Sequence, residues 1–440
     1  MKKIAFLLAV MVFAACKTKD SNEYSKVTND PRFIHDAYQK LTDVIIHDIF
    51  SPPVTARIYS YATIAGYEAL IPGNAEYQSL GGQLNGLAEA PKPEAGKEYC
   101  YPLASVKAIM TVARSLTFTV EKYDEYEKTT YQKFKDAGVP SDVYDRSMAF
   151  GEAIGNYVID YSKKDNYLQT RGLRYTVKNT GDKWVPTPPQ YGDALEPYWS
   201  TIRPFVMDSS GQFPPVPVIP YSKDPNSEFR KEVKAVYETV KNLTQEQKDI
   251  AWFWDDNPFV MNVQGHVMFA NKKMTPGGHW MAIVRTISKQ QKADIYQSAE
   301  AYTRTAISMF DSFISCWHEK FRSEKIRPET VINADIDPKW MPYLQTPPFP
   351  EYPSGHSHAS ATIAEAISQS LGENIPFTDS TEFIYDHGVR SFKSVRDAAA
   401  EASISRVYGG IHYLSGCNEG AKAGKRLGEY ISANLVTKKK

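Results

Sequence analysis

"VTARIYSYATIAGYEALI", from Val54 to Ile71, carries its apolar residues three and four positions apart. Val54, Ile58, Tyr61 and Ala65 therefore share one face of a helix, whereas a strand would alternate at every second residue. "VYDRSMAFGEAIGNYVIDYS", from Val143 to Ser162, repeats the pattern. The same spacing runs from Pro31 to about Asp165 and resumes at Ser227. An all-α fold of packed helical bundles follows. Between the two helical stretches lies a long irregular segment with ten prolines from Pro186 to Pro225. A loop of that length is usually a functional or covering element. The expected organisation is a helical region over 31–165, a Pro/Tyr-rich covering loop over 166–226, and a second helical domain over 227–436.

The chain has 440 residues, 42% hydrophobic and 23% charged, with a formal net charge of zero. That supports a sizeable core and gives no global field to attract nucleic acid. Lys2 and Lys3 precede an apolar run, Ile4 to Ala15, that ends in "FAAC". This reads as a lipoprotein signal over 1–16 with Cys16 as the lipidated residue, followed by a polar tether over 17–30. The expectation is an exported protein, periplasmic or at the cell surface, touching the membrane only through its lipid. No later apolar run approaches the ~18 residues needed to span a bilayer. Three further cysteines, Cys100, Cys316 and Cys417, match no zinc spacing and read as small buried residues, with one disulfide possible.

Three segments carry the chemistry. In "FDSFISCWHEKFRSEKIRP", Phe310, Phe313, Trp317, Lys320, Glu324 and Arg327 follow steps of three and four, one helical stripe. Lys320 and Arg327 continue an apolar face and so point inward, while Arg322 and Lys325 project from the opposite side. Pro328 is expected to stop that helix. Buried cations require an anion. In "PPFPEYPSGHSHASATIAEA", Pro347 to Ala366, Ser354 is a plausible N-cap and Gly355 leaves the first helical amides approachable, which makes an anion site. His356 can hold or deliver a proton there. His358, roughly 200° further round, points elsewhere. In "SISRVYGGIHYLSG", the Gly409-Gly410 pair breaks the helix, so Arg406 and His412 can both turn inward. Lys320, Arg327, Ser354, Gly355 and Arg406 together would surround a tetrahedral oxyanion, leaving two histidines for chemistry.

Lys320-x6-Arg327-Pro328, Pro353-Ser354-Gly355-His356 and Ser405-Arg406-x5-His412 resemble the three signature motifs of the vanadium-dependent haloperoxidases, within the type-2 phosphatidic acid phosphatase superfamily. The resemblance covers about Ala251 to Tyr430. The loop Trp184 to Pro189 is similar to that of bacterial haloperoxidase-like lipoproteins. It implies that His412 bonds the vanadium of vanadate, that His356 is the acid–base group, and that Lys320, Arg327, Ser354, Gly355 and Arg406 form the oxyanion cage. In "WFWDDNPF", Asp255 or Asp256 would support His356 and an arginine. His279, in "GGHW", would be structural. Trp317 and Phe349 stand where the chloride-oxidising branch carries the same aromatics, as a halide pocket or as packing. Family members often place an aspartate four residues after the last histidine. Here that position is Gly416, with Asn418, Glu419 or a backbone carbonyl as candidate substitutes.

The resemblance implies a vanadate cofactor with hydrogen peroxide and halide as substrates. The same cage could instead hold phosphate and hydrolyse a phosphate monoester through a phosphohistidine on His412. A third reading, a non-catalytic tethered binding lipoprotein, leaves the two histidines without work. The extra helical half favours the peroxidase reading over a small acid phosphatase.

Overall fold

The structure, a computed structural model, describes residues 22–258, 260–264 and 267–439. The proposed signal and Cys16 lie outside the described residues. The molecule is helical, as the apolar spacing predicts, with two short antiparallel hairpins added. The N-terminal half contains α1 (Asn22–Thr28), α2 (Arg32–Asp48), α3 (Pro52–Leu70), α4 (Tyr101–Leu116), α5 (Asp124–Asp136) and α6 (Ser141–Ser162). One difference concerns the expected tether over 17–30. Its second half is the helix α1, with Tyr24 buried and its hydroxyl donating to Glu98 at 2.6 Å. A second is that residues 74–100 are largely irregular.

The covering segment contains one short helix, α7 (Tyr167–Thr170), and a single tight turn at Trp199–Thr201. After it come α8 (Glu228–Lys241), α9 (Gln245–Phe253), the hairpin β1 (Val260–Gln264) and β2 (Val267–Asn271), and α10 (Pro276–Gln290). Next are α11 (Ile295–Ser323), α12 (Pro328–Asp335), α13 (Gly355–Leu371), the hairpin β3 (Phe377–Asp379) and β4 (Arg390–Phe392), α14 (Val395–Tyr408) and α15 (Leu414–Asn434). Among the described residues no helix is long and apolar enough to cross a membrane.

The long helix α11 is the axis of the fold. Its first turn is fixed by Asp294, whose carboxylate accepts from the Gln297 amide while the Gln297 side chain returns to the Asp294 N–H. It packs on α3 to one side and α13 to the other. Against α3, which is buried almost all round, Ser60 Oγ donates to the Ala306 carbonyl at 2.7 Å. Helices α13 and α15 approach closely because Gly420, Gly424 and Gly428 lack a Cβ, which would otherwise run into the Ser354, His358 and Thr362 carbonyls. That contact fixes where the N-terminus of α13 points.

The Pro-rich arm is stapled to α11 by one carboxylate. Asp311 accepts from the backbone N–H groups of Phe205, Val206 and Met207 at 2.7, 2.8 and 3.1 Å. Burial lifts its pKa to about 6 in spite of these donors. Further along α11, Trp317 Nε1 donates to the Leu195 carbonyl of the arm at 3.1 Å. The arm thus lies over the end of α11 that carries the first motif. Cys100, Cys316 and Cys417 are all buried free thiols.

Candidate active site

Helix α11 ends at Ser323, four residues before Arg327, so the six-residue stripe is not one continuous helix. Glu324 takes the left-handed conformation, φ 51°, and Arg327 is extended at the N-cap of α12. Pro328 is therefore the first residue of a new helix rather than the stop of the old one, a position suited to its missing N–H. The turn still delivers both cations inward, since Lys320 and Arg327 are fully buried. Lys320 Nζ donates to the carbonyls of Pro350 and Glu351, at 2.8 and 3.0 Å. Arg327 donates to the carbonyls of Phe349 and Ile411, at 2.8 and 2.7 Å. Arg322 is exposed and paired with Glu319, as expected. Lys325, expected beside it, is instead buried, reaching Glu232 at 3.4 Å and lying over the Tyr413 ring, because the chain turns between them.

Ser354 caps α13, its hydroxyl accepting from the Ser357 amide, and leaves Gly355 and His356 in the first turn. Gly355 sits against Trp317 and the end of the Lys320 side chain. His358 points away, into a bond with Ser312 at 2.8 Å. Helix α14 ends at Tyr408 with Arg406 in its last turn, and Gly410 at φ +75° reverses the chain so that His412 enters just before α15. Asp255, Asp256, Gly355, His356, Arg406 and His412 then line one pocket. Lys320, Arg327 and Ser354 lie behind this lining, with Arg327 Nη1 3.2 Å from His412 Nε2.

His412 is gripped from both sides. Arg327 Nη1 lies 3.2 Å from Nε2, and Glu351 Oε1 lies 2.7 Å from Nδ1. An arginine only donates, so Nε2 must hold a lone pair and Nδ1 the proton, given to Glu351. The imidazole is neutral. Burial, then the Arg327 and Lys320 charges, hold its pKa well below the usual histidine value. Glu351 is the carboxylate that Gly416 does not supply, in place of the expected Asn418, Glu419 or carbonyl. A Cβ at 416 would overlap the Glu351 carboxylate, so the glycine makes room for it.

The adjacent aspartates divide the two tasks that sequence left undivided. Asp256 Oδ2 is 3.9 Å from His356 Nε2, and Asp255 Oδ1 is 3.9 Å from Arg406 Nη1. Arg406 is also anchored by the Trp254 carbonyl at 2.6 Å. His279 is buried between Asp256 and Asp379, at 2.9 and 2.8 Å. Trp317 and Phe349 form an aromatic wall, ring centres 5.1 Å apart, with Lys320 4.9 Å and Arg327 5.0 Å from the Phe349 ring.

The donor set fits an oxyanion such as vanadate. Lys320 is held by neutral carbonyls, and burial pulls its pKa down to about 7. Arg327 falls to about 10 for the same reason. Arg327 Nη2 and His356 Nε2 are buried without a hydrogen-bond partner. An unsatisfied buried guanidinium donor beside a helix N-terminus and a histidine lone pair calls for a small multivalent anion.

Such a cage on a helical bundle defines a class of oxyanion-binding proteins, and comparison places the chain within it. Residues 300–438 match the family model described as the VCPO second helical-bundle domain. A bacterial vanadium-dependent iodoperoxidase is 42% identical, with a TM-score of 0.87, over 93% of this chain and 97% of that one. Holo and apo forms of a bacterial vanadium-dependent chloroperoxidase share the fold, at TM-scores of 0.65 and 0.67 with 15% and 16% identity. Each covers 88% of this chain, and 93% and 94% of its own length. No curated protein matches the chain. The chain belongs to the vanadium-dependent haloperoxidase family.

Proposed function

We propose that this protein is a vanadate-dependent haloperoxidase that oxidises halide with hydrogen peroxide, and that iodide is its preferred halide. The observation that carries the reading is the neutral His412, whose Nε2 lone pair accepts from Arg327 at 3.2 Å in the wall of a pocket shared with His356 and Arg406. His412 would ligate vanadium, while Lys320, Arg327, Arg406, Ser354 and the Gly355 amide would hold the oxygens. Bound vanadate supplies a Lewis acid that activates peroxide towards a soft nucleophile.

The chain's own part is binding and proton handling. His356 has a pKa held well below the usual value by burial and then by the Arg406 charge, so its Nε2 is free to take a proton from entering peroxide. Asp256 stabilises the resulting imidazolium. Oxidising halide to hypohalous acid consumes one proton from solvent per turnover, and His356 can return the proton borrowed from peroxide to the departing oxygen, which the solvent proton completes as water. The fixed cations stabilise developing negative charge without reorganising. Trp317 has spent its N–H on Leu195, so Phe313, Trp317, Phe349 and the surrounding prolines offer hydrocarbon. An apolar wall favours a large, weakly hydrated anion, which supports iodide together with the iodoperoxidase likeness. The phosphatase reading uses the same residues, but no observation favours it.

The test is to reconstitute the body from Lys17 with vanadate and assay peroxide-dependent oxidation of iodide, bromide and chloride. Iodide should give the highest kcat/KM, and His412→Ala should abolish turnover. Activity surviving that substitution would remove His412 as the ligand. We also propose that the protein is exported and lipid-tethered through Cys16, on the strength of the apolar run before it. Loss of fatty-acid labelling in Cys16→Ser would support this, and labelling that persists would overturn it.

A further inference from the structure

His279 lies behind the pocket wall, yet its surroundings bear on His356. Both ring nitrogens face carboxylates: Nδ1 is 2.9 Å from Asp256 Oδ1 and Nε2 is 2.8 Å from Asp379 Oδ2. All three side chains are buried. A neutral imidazole has one N–H and could satisfy only one ionised carboxylate, and against the effect of burial the Asp256 and Asp379 charges raise the ring's pKa well above the usual value, which favours the doubly protonated form. The flat face of Trp254 lies against the ring at 4.7 Å and 19°, an arrangement that favours a cation. The bond to Oδ1 also consumes one of the two Asp256 oxygens and leaves Oδ2 turned to His356 Nε2 at 3.9 Å.

We propose that His279, as an imidazolium bridging Asp256 and Asp379, is the positioning residue that keeps Asp256 ionised and aimed at the acid–base group His356. This rests on the assignment of His356 made above. Two buried carboxylates facing one another would otherwise retain a proton between them, and a protonated Asp256 would no longer favour the imidazolium form of His356. Glu382 marks the alternative the cluster avoids. It is buried, its Oε1 lies 4.0 Å from His279 Nδ1 without a hydrogen bond, and burial and the Asp256 charge lift its pKa to about 8. Three of these groups could be read as a metal site, since Asp256, His279 and Glu382 offer ligand atoms within 4.8 Å of one another. The two short nitrogen–carboxylate contacts are already complete hydrogen bonds, and they favour the proton over the metal.

The test uses the full body, the variants His279→Gln and Asp379→Asn, and each again in a His356→Ala background. In the parent protein, nitrogen-15 NMR should show two slowly exchanging N–H groups on His279 up to at least pH 8, and Asp379→Asn should remove that persistence. His279→Gln should lower kcat about tenfold or more with halide KM unchanged. It should leave inorganic phosphate bound to the vanadate-free protein with unchanged affinity, since no cage residue is altered. In the His356→Ala background it should have no further effect, because both changes act through one group. An equal loss in both backgrounds would reduce His279 to a packing residue and overturn the proposal. So would a single N–H on His279, or a stoichiometric divalent ion retained by the purified protein. If His356→Ala is itself fully active, the assignment of His356 fails instead, and the NMR result still reports on the bridge. Should His279→Gln not fold, Asp379→Asn carries the same cycle.

Discussion

Glu351 occupies the volume that any side chain at residue 416 would need, and it uses that volume to hold His412 Nδ1 at 2.7 Å. The two positions are therefore exchangeable in principle. One supplies a carboxylate from the loop before α13, the other from the first turn of α15.

Glu351→Ala should lower vanadate affinity by roughly 10–100-fold, the usual effect of losing the partner that orients a metal-ligating histidine. Gly416→Ala should do similar harm by displacing the carboxylate. The double variant Glu351→Ala/Gly416→Asp should recover much of the loss. Vanadate Kd by titration checks all three, and a double variant no better than Glu351→Ala would show that the loop carboxylate has a second task.

Anion affinity should fall as pH rises through neutrality. Lys320 is charged below about pH 7 and neutral above it, because burial disfavours the ammonium. His356 and His412, both held well below the usual value, are already neutral there. Sulfate keeps its charge across this range and serves as probe. Its affinity should decline by up to about tenfold per pH unit above 7, with uptake of a proton on binding. Lys320→Met should flatten the profile, as isothermal titration in buffers of different ionisation enthalpy can show.

Asp311→Ala should free the arm. Three buried N–H groups would lose their acceptor, for a destabilisation of roughly 3 kcal/mol by urea unfolding. Limited proteolysis should begin cutting near Phe205, a segment the parent protein protects.

Arg322 and Arg327 make a matched control. Arg322→Ala should leave vanadate binding intact and stability within about 0.5 kcal/mol, as for an exposed side chain. Arg327→Ala should weaken vanadate binding roughly 100-fold, since it removes a buried charged donor and the partner of His412 Nε2.

The helical class was legible because three-and-four spacing is a local signal, and the cage was legible because its residues sit in short motifs. What failed was phase. A spacing of seven residues, nearly two turns, predicts one helix for Lys320 and Arg327. The real chain leaves the helix at Ser323, and Lys325 is buried as a result. Glu351 stands inside the motif-bearing stretch, but a proline-rich extended segment has no period from which to read direction. Asp255 and Asp256 could not be separated for the same reason: neighbours outside a helix face different ways, and only the fold says which. The second half of the supposed tether hid a helix whose signal was one buried tyrosine.

The arm that Asp311 hooks onto α11 contributes Leu195 to the pocket, while the cations and histidines come from the bundle beneath. One piece of the rim, Leu195, thus belongs to a stretch of chain separate from the floor. Inheritance can rewrite the rim, altering which molecules enter, without disturbing the groups that grip the anion. A lineage built this way can diversify its substrates through one surface segment while its chemistry stays the same.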